Sequence, residues 1–529
     1  MHTITPEALK SRLAKPDEET AFLDIREFGE YGMGHPFHSV NVPLSRLESL
    51  IGTFVPRLEA CIVLMDQSDE GRANHAAQQL SQLGYRDVRV LSGGLNAWKA
   101  AGYNLFEGVN VVSKTFGELI HEIYHTPSIE AKTLAQWQAE GRAVHILDGR
   151  PYREYHKMNI PGSLCCPNGE LVKRTPALLN GDHETPIVIN CAGRTRSIIG
   201  AQTLCWLGLE NPVYALENGT QGWRLAGLSL EHGSDRRYPD HAPVPALQAS
   251  TARALAEQHG ARAIDATTVN QWLADTTRTT YVFDVRTHEE FAKAHAPSAI
   301  HAPGGQLIQA TDHWVGVYRS RLVLVDDDEC RAPTVAAWLS LMGVEVVWLA
   351  GGHQQWSQLN QRQLPLNHPT PPETIDLETL SQWISMQSVQ LLDARPGMQY
   401  RQSHLSGSQW INRAHLARHL TTLDLAQPLV LIGDPEQVVG LAEDLKTQGA
   451  QHLHQLPADL EAWADHGLAL SQTPDQPCDD DCIDFLFFVH DRHDGNLEAS
   501  KRYLAWEVGL VPKLDDEERA TFAIEMNCD

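Results

Sequence analysis

Residues 187–208 read IVINCAGRTRSIIGAQTLCWLG. Three parts follow one another in that run. IVIN (187–190) is a short, wholly apolar start followed by a polar end, the form of a strand buried on both faces. Residues 191–196 are a turn of small and basic residues. From Ser197, a hydroxyl residue suited to capping a helix, the apolar positions Ile198, Ile199, Leu204 and Trp206 define a helical face. Strand, turn and helix make half of a βαβ unit. Such folds bind ligands where the carboxyl end of a strand faces the N-terminus of the next helix.

Working outward, the same grammar occurs four times. Each copy opens on a helical stretch: ITPEALKSRL from Ile4, IEAKTLAQW from Ile129, IDATTVNQW from Ile264 and IDLETLSQW from Ile375. An apolar strand ending in Asp-x-Arg follows, with Asp24 and Arg26, Asp148 and Arg150, Asp284 and Arg286, Asp393 and Arg395. A second strand comes next, IVLM, IVIN, LVLV or LVLI, and each copy closes near a tryptophan, Trp98, Trp223, Trp356 or Trp463. Asp and Trp lie 74, 75, 72 and 70 residues apart. Strands alternating with helices imply a parallel sheet covered on both faces. The expectation is four tandem α/β domains, 1–108, 109–240, 241–369 and 370–473, each large enough to bury its own core. The Pro-rich HPTPPE (368–373) reads as a stiff linker. Residues 474–529 form a tail outside the repeat, with a helix in NLEASKRYLAWEVGL (496–510) that stops near Gly509 and Pro512.

The 529 residues are 42% hydrophobic and 21% charged, an ordinary globular composition. Lys and Arg number 42 against 67 Asp and Glu, a formal charge of −25, which repels nucleic acid and anionic membranes. No apolar run is long enough to span a bilayer. The opening MHTITPEALKSRLAKPDEE has no signal-peptide core, and nine cysteines form neither a disulfide framework nor a zinc array. A cytoplasmic protein is expected, with no nucleic-acid or membrane partner.

Chemistry concentrates in the second copy. Cys191 ends its strand, and Ala192, Gly193, Arg194, Thr195, Arg196 and Ser197 follow. Free backbone N–H groups, a helix dipole and two guanidinium groups all favour thiolate over thiol, and the same features bind an oxyanion. The other copies lack this set. The third reads VDDDECRAP, with Asp326 at the cysteine position and Arg331 matching Arg196. The first reads MDQSDEGRA, with Asp66, one extra residue and Arg72; the fourth reads IGDPEQVV, with Gly433 and no Arg. Carboxylates there oppose both a thiolate and a bound anion. One active copy among three inactive ones is expected.

The four copies resemble rhodanese domains, and CAGRTRS resembles a rhodanese active-site loop; NIPGS (159–163) and the glycine-tryptophan endings extend the likeness to residue 473. The chain as a whole resembles tandem fourfold rhodanese proteins. The resemblance implies a thiosulfate sulfurtransferase that needs no cofactor. Cys191 would take the outer sulfur of thiosulfate or a similar donor as a persulfide, and a thiol or cyanide would accept it. Arg194 and Arg196 would hold the sulfonate, and the backbone from Ala192 to Ser197 would cradle the persulfide. Asn159 stands where the family usually has His, a change expected to matter little.

Other readings bear on the same residues. A cysteine phosphatase loop places five residues between Cys and Arg, whereas four lie between Cys191 and Arg196. 3-Mercaptopyruvate is the alternative donor, although its single carboxylate suits two arginines less well than a dianion. A largely non-catalytic scaffold for sulfur-carrier partners is the alternative outside catalysis. Cys330 is the rival nucleophile, Cys165 and Cys166 are candidate resolving thiols, and Cys205 reads as core. The recurrent Asp-x-Arg pairs and tryptophans read as structural. Cys478, Cys482, His490 and His493 have four zinc-type ligands but a short central spacing and intervening aspartates, so no metal is expected.

Overall fold

The computed structural model describes residues 2–68, 71–239, 246–362, 364–490 and 495–524. Three five-stranded parallel sheets share one strand order. In the second, Ser128–Ile129 lies at one edge, followed across the sheet by Val213–Leu216, Ile187–Asn190, His145–Asp148 and Leu164–Cys165. The fourth sheet keeps that order over four strands, Leu453–Leu456, Leu429–Ile432, Gln390–Asp393 and Gln409–Trp410. A single parallel bridge from Thr374 to Gln455 takes the place of its missing edge strand. The chain is thus four tandem α/β domains and a C-terminal tail.

Burial explains the central strands. Ile187, Val188 and Ile189 are fully inaccessible, as are Leu429, Val430, Leu431 and Ile432. Each such side chain contributes about 1.5–3 kcal/mol relative to exposure. The register then places each Asp-x-Arg beside a loop: Asp24 pairs with Met65, Asp148 with Asn190, Asp284 with Val325 and Asp393 with Ile432. In every repeat the Arg bonds the Asp carboxylate and also donates to a carbonyl eight residues on: Gly34, Met158, Ala294 or Ser403. This buried clamp closes the short helix after the strand, a structural role as expected. Asn159 serves its local turn as His404 does in the fourth repeat, since both bond the carbonyl four residues before, Tyr155 or Tyr400.

The repeats gather into two compact units. One holds residues 1–15, 20–108 and 364–487, so it contains the first and fourth sheets; Arg413 is buried there between Glu48 and Asp444. The other holds 16–19, 109–363 and 488–529, with the second and third sheets. The tail therefore divides between the units at Phe487, and its helix Leu497–Val508, ended by Gly509, belongs with the second and third repeats.

Candidate active site

Cys191 follows the strand Ile187–Asn190 and is 2% exposed. The next helix begins at Thr195, with Arg194 at its cap and no side-chain capping bond. Ser197 therefore lies inside the first turn and does not cap it; its hydroxyl donates to the Cys191 sulfur at 3.2 Å. The expected cap moves three residues earlier, from Ser197 to Arg194, because the loop turns tightly enough for Thr195 to adopt helical geometry. Carbonyls of the loop are held from the other side. Thr220 N–H donates to the Cys191 carbonyl and Gln221 N–H to that of Ala192. Gly219, at φ +51°, permits this approach, since a β-carbon there would stand 2.2 Å from the Cys191 oxygen. The glycine-tryptophan ending thus braces the loop from beneath.

The third repeat displays what such a loop holds. Asp326 accepts the N–H groups of Glu329, Cys330 and Ala332, each at 2.9 Å. Their counterparts by position, the N–H groups of Arg194, Thr195 and Ser197, have no acceptor among the described residues. An Asp oxygen lies as many bonds from Cα as the outer sulfur of a cysteine persulfide. The matching backbone after Cys191 can therefore hold an oxyanion or a group of similar reach.

Both loop arginines are engaged. Arg194 grips Glu118 at 2.7 and 2.9 Å, and Arg196 grips Glu154 at 2.8 and 2.9 Å. The second pairing recurs as Arg72 with Glu30 and Arg331 with Glu290, so it belongs to the fold. Arg194 with Glu118 belongs to the second repeat. Burial pushes the Glu118 carboxyl up, against the pull of Arg194, and nearby Glu507 adds to the rise.

Sequence reasoning did not reach the tail's part in this site. Glu507, 1% exposed, accepts from Thr195 Oγ1 at 2.9 Å and from Lys114 Nζ at 3.2 Å, and Lys114 also contacts the Tyr503 hydroxyl. Burial raises the Glu507 carboxyl, but Lys114 and Thr195 outweigh it and hold the group below its ordinary range. A cavity of about 510 Å³ opens here. Cys191 through Arg196 line it, with Lys114, Arg153, Glu154, Lys157, Tyr503 and Glu507, and with Gln306, Gln309 and His313 of the third repeat.

The other cysteines are placed elsewhere. Cys165 and Cys166 are buried and absent from the cavity wall, and burial pushes the Cys165 thiol up to about 12. Cys330 is fully buried, and burial beside Asp328 and Asp326 pushes its thiol up. Cys205 is half-buried against the core. The acidic third loop has a packing role: Lys173 binds Asp327 and Asp328, while Arg331 binds Glu170. Trp338 adds a hydrogen bond to Thr203 and a ring contact with Trp206. Of the four zinc-type residues in the tail, His493 and the His490 side chain lie outside the described residues; Cys478 donates to Asp481. No group of three or more metal-binding side chains gathers among the described residues.

The sequence model of the rhodanese-like domain matches residues 5–101, 130–226 and 265–359, more than half of the chain. A crystal structure of thiosulfate sulfurtransferase from Pseudomonas aeruginosa is 38% identical, with a TM-score of 0.90 over 99% of this chain and 100% of that one. An HTH-type transcriptional regulator of Mycobacterium tuberculosis is 34% identical over 101 residues, 19% of this chain and 43% of the regulator. An uncharacterized Synechocystis protein is 31% identical over 100 residues, 19% of this chain and 53% of that protein. The chain thus spans about half the length of these curated relatives. No helix among the described residues is long and apolar enough to cross a membrane.

Proposed function

The chain belongs to the rhodanese family, and on that premise we propose that its second repeat is a thiosulfate sulfurtransferase centre with Cys191 as nucleophile. The Cys191 thiolate attacks the outer sulfur of thiosulfate. The sulfur–sulfur bond breaks, sulfite leaves with its electron pair, and a persulfide remains on Cys191. A thiol or cyanide then takes the outer sulfur and returns the thiolate. Arg194 and Arg196 face the sulfonate while their carboxylate partners fix their planes, and the backbone of Ala192 to Ser197 cradles the transferred sulfur.

The observation that carries this reading is the Asp326 carboxylate, held by three N–H groups in the loop that matches the Cys191 loop. The likeness to the Pseudomonas sulfurtransferase over the whole chain supports it. The lining cations favour thiosulfate over 3-mercaptopyruvate, because a dianion gains more from them than a single carboxylate does. The first, third and fourth repeats are structural in this proposal, and 1–108, 109–240, 241–369 and 370–473 are its domain limits. The cytoplasmic location expected from cysteine usage goes with it. Mass spectrometry of the intact protein after thiosulfate treatment tests the reading: one added sulfur, mapped to Cys191 and removed by cyanide, is the expected result. Sulfur on another cysteine, or none, would overturn it.

A further inference from the structure

We infer that Glu507, carried by the tail helix Leu497–Val508, is a positioning residue for the Cys191 loop, holding Thr195 so that its backbone N–H faces the reacting sulfur. The inference rests on the sulfur-transfer reading of Cys191 and gives the tail a share in that reaction.

Thr195 is the first residue of the helix after the loop, and its side chain is held on two sides. The hydroxyl donates to Glu507 Oε1 at 2.9 Å. The methyl lies so close to the helix Val111–Tyr124 that a β-carbon on Gly117 would stand 2.6 Å from it. A β-branched side chain held at both branches stays in one rotamer, and the backbone attached to it turns only if one contact breaks. Glu507 is fixed in its turn. Lys114 donates to the same Oε1 at 3.2 Å, and its ammonium lies 5.0 Å from the centre of the Tyr503 ring. Lys114, Gly117 and Glu118 share one face of their helix, as Tyr503 and Glu507 share one face of the tail helix. The tail also lies against Gly193, where a β-carbon would stand 2.9 Å from Glu507 Oε2 and 3.4 Å from the Tyr503 ring.

The third repeat shows the same position held without a tether. Cys330 stands four residues after Asp326, as Thr195 stands four after Cys191. It is fully buried against Val172 and Ala252, and its N–H donates to Asp326. The second repeat replaces that apolar contact with a hydroxyl bound to a carboxylate 312 residues away. The replacement costs stability. Glu507 Oε2 is buried and has no hydrogen-bond partner among the described residues. A buried ion pair with an unpaired oxygen stabilises a fold less than apolar side chains of similar size do. Packing alone therefore gives no reason for a carboxylate at 507, whereas aiming the Thr195 N–H at the sulfur does.

Single-turnover persulfide formation at saturating thiosulfate, measured on the full chain, tests this. Glu507→Leu with Lys114→Met removes the acceptor and its counter-charge together. It should keep or raise the melting temperature and yet slow the step about tenfold, the value of one hydrogen bond to a charged group. Thr195→Val removes only the donor, leaves Lys114 paired with Glu507 and disturbs folding least; it should slow the step by a similar factor. The triple variant should be no slower than Glu507→Leu with Lys114→Met, because the carboxylate acts through that hydroxyl. Glu507→Gln, whose amide oxygen still accepts from Thr195, should come within about threefold of the wild type. Wild-type rates in the first two variants, or losses that multiply in the triple variant, would overturn the inference. So would a Glu507→Gln rate as low as that of the Leu variant, which would assign the effect to charge. A wild type that takes no sulfur would overturn the sulfur-transfer reading alone. Alkylation of Cys191 by iodoacetamide in the same variants then decides the positioning: slower reaction in the first two is expected, and equal rates would refute it.

Discussion

Asp326 occupies in the third repeat the position that Cys191 occupies in the second, five residues before Arg331 as Cys191 is before Arg196. Its carboxylate fills a nest of N–H groups that the smaller thiol leaves open. Cys191→Asp should therefore fold, keep or raise the melting temperature, and have no sulfur transfer, because an internal anion takes the sulfur's place. Cys191→Ser should also fold and lose transfer, since a hydroxyl is a far weaker nucleophile at neutral pH. Thermal melts and cyanide-coupled assays check both, and measurable turnover in either variant would point to another cysteine.

The two loop arginines should separate stability from rate. Glu118 is buried, so Arg194→Ala leaves a carboxylate without compensation and should cost about 3 kcal/mol of stability. Glu118→Gln in the same chain should restore most of that. Glu154 is 38% exposed and regains water, so Arg196→Ala should cost about 1 kcal/mol or less. Rate should follow the opposite order. Arg196→Ala should lower kcat/KM for thiosulfate roughly ten- to hundredfold, the value of a charge-assisted contact to an anion, and Arg194→Ala by less. Urea melts and steady-state kinetics on the three variants decide the ordering.

Thiol labelling should be selective in the native protein. Burial pushes Cys61 up to about 11 and Cys165 up to about 12, and it raises Cys166 and Cys330 as well. All four are shielded and protonated at pH 8. Iodoacetamide at that pH should leave them unmodified for as long as the chain stays folded and should modify them in urea. Peptide mapping before and after denaturation checks this, and prompt native labelling of Cys330 would remove the basis for calling the third loop inert.

Stability should fall with pH through Glu27. Burial raises this carboxyl from 4.5 to about 7, against hydrogen bonds from Ser45. The folded chain keeps a proton there that the unfolded chain releases above about 4.5, so the native state binds more protons across that window. The contribution is complete below about pH 4.5 and is lost as pH rises through about 7, with a ceiling of about 3 kcal/mol. Glu27→Gln should flatten the pH dependence of urea unfolding between pH 5 and 7.5. An unchanged slope would place the titrating group elsewhere.

The fold and the loop proposed as the site were legible along the chain because they are written in contiguous residues. Apolar runs of four, the Asp-x-Arg ending and the turn from Cys191 to Ser197 each encode hydrogen bonds that close within a few positions, so their pattern survives in one dimension. The rest depended on packing. Glu118 meets Arg194 across 76 residues and Glu507 meets Thr195 across 312, pairings that no period announces. The Ser197 hydroxyl turned to the thiol because the helix began three residues early, a matter of loop geometry. The acidic run Asp326–Asp328 reads as a ruined active site in sequence. In three dimensions its first member fills the loop and its others anchor Lys173 of the second repeat. Such assignments arise only when complementary surfaces are buried together, because the energy of an ion pair or an orphaned oxygen is set by the atoms around it and not by its neighbours along the chain.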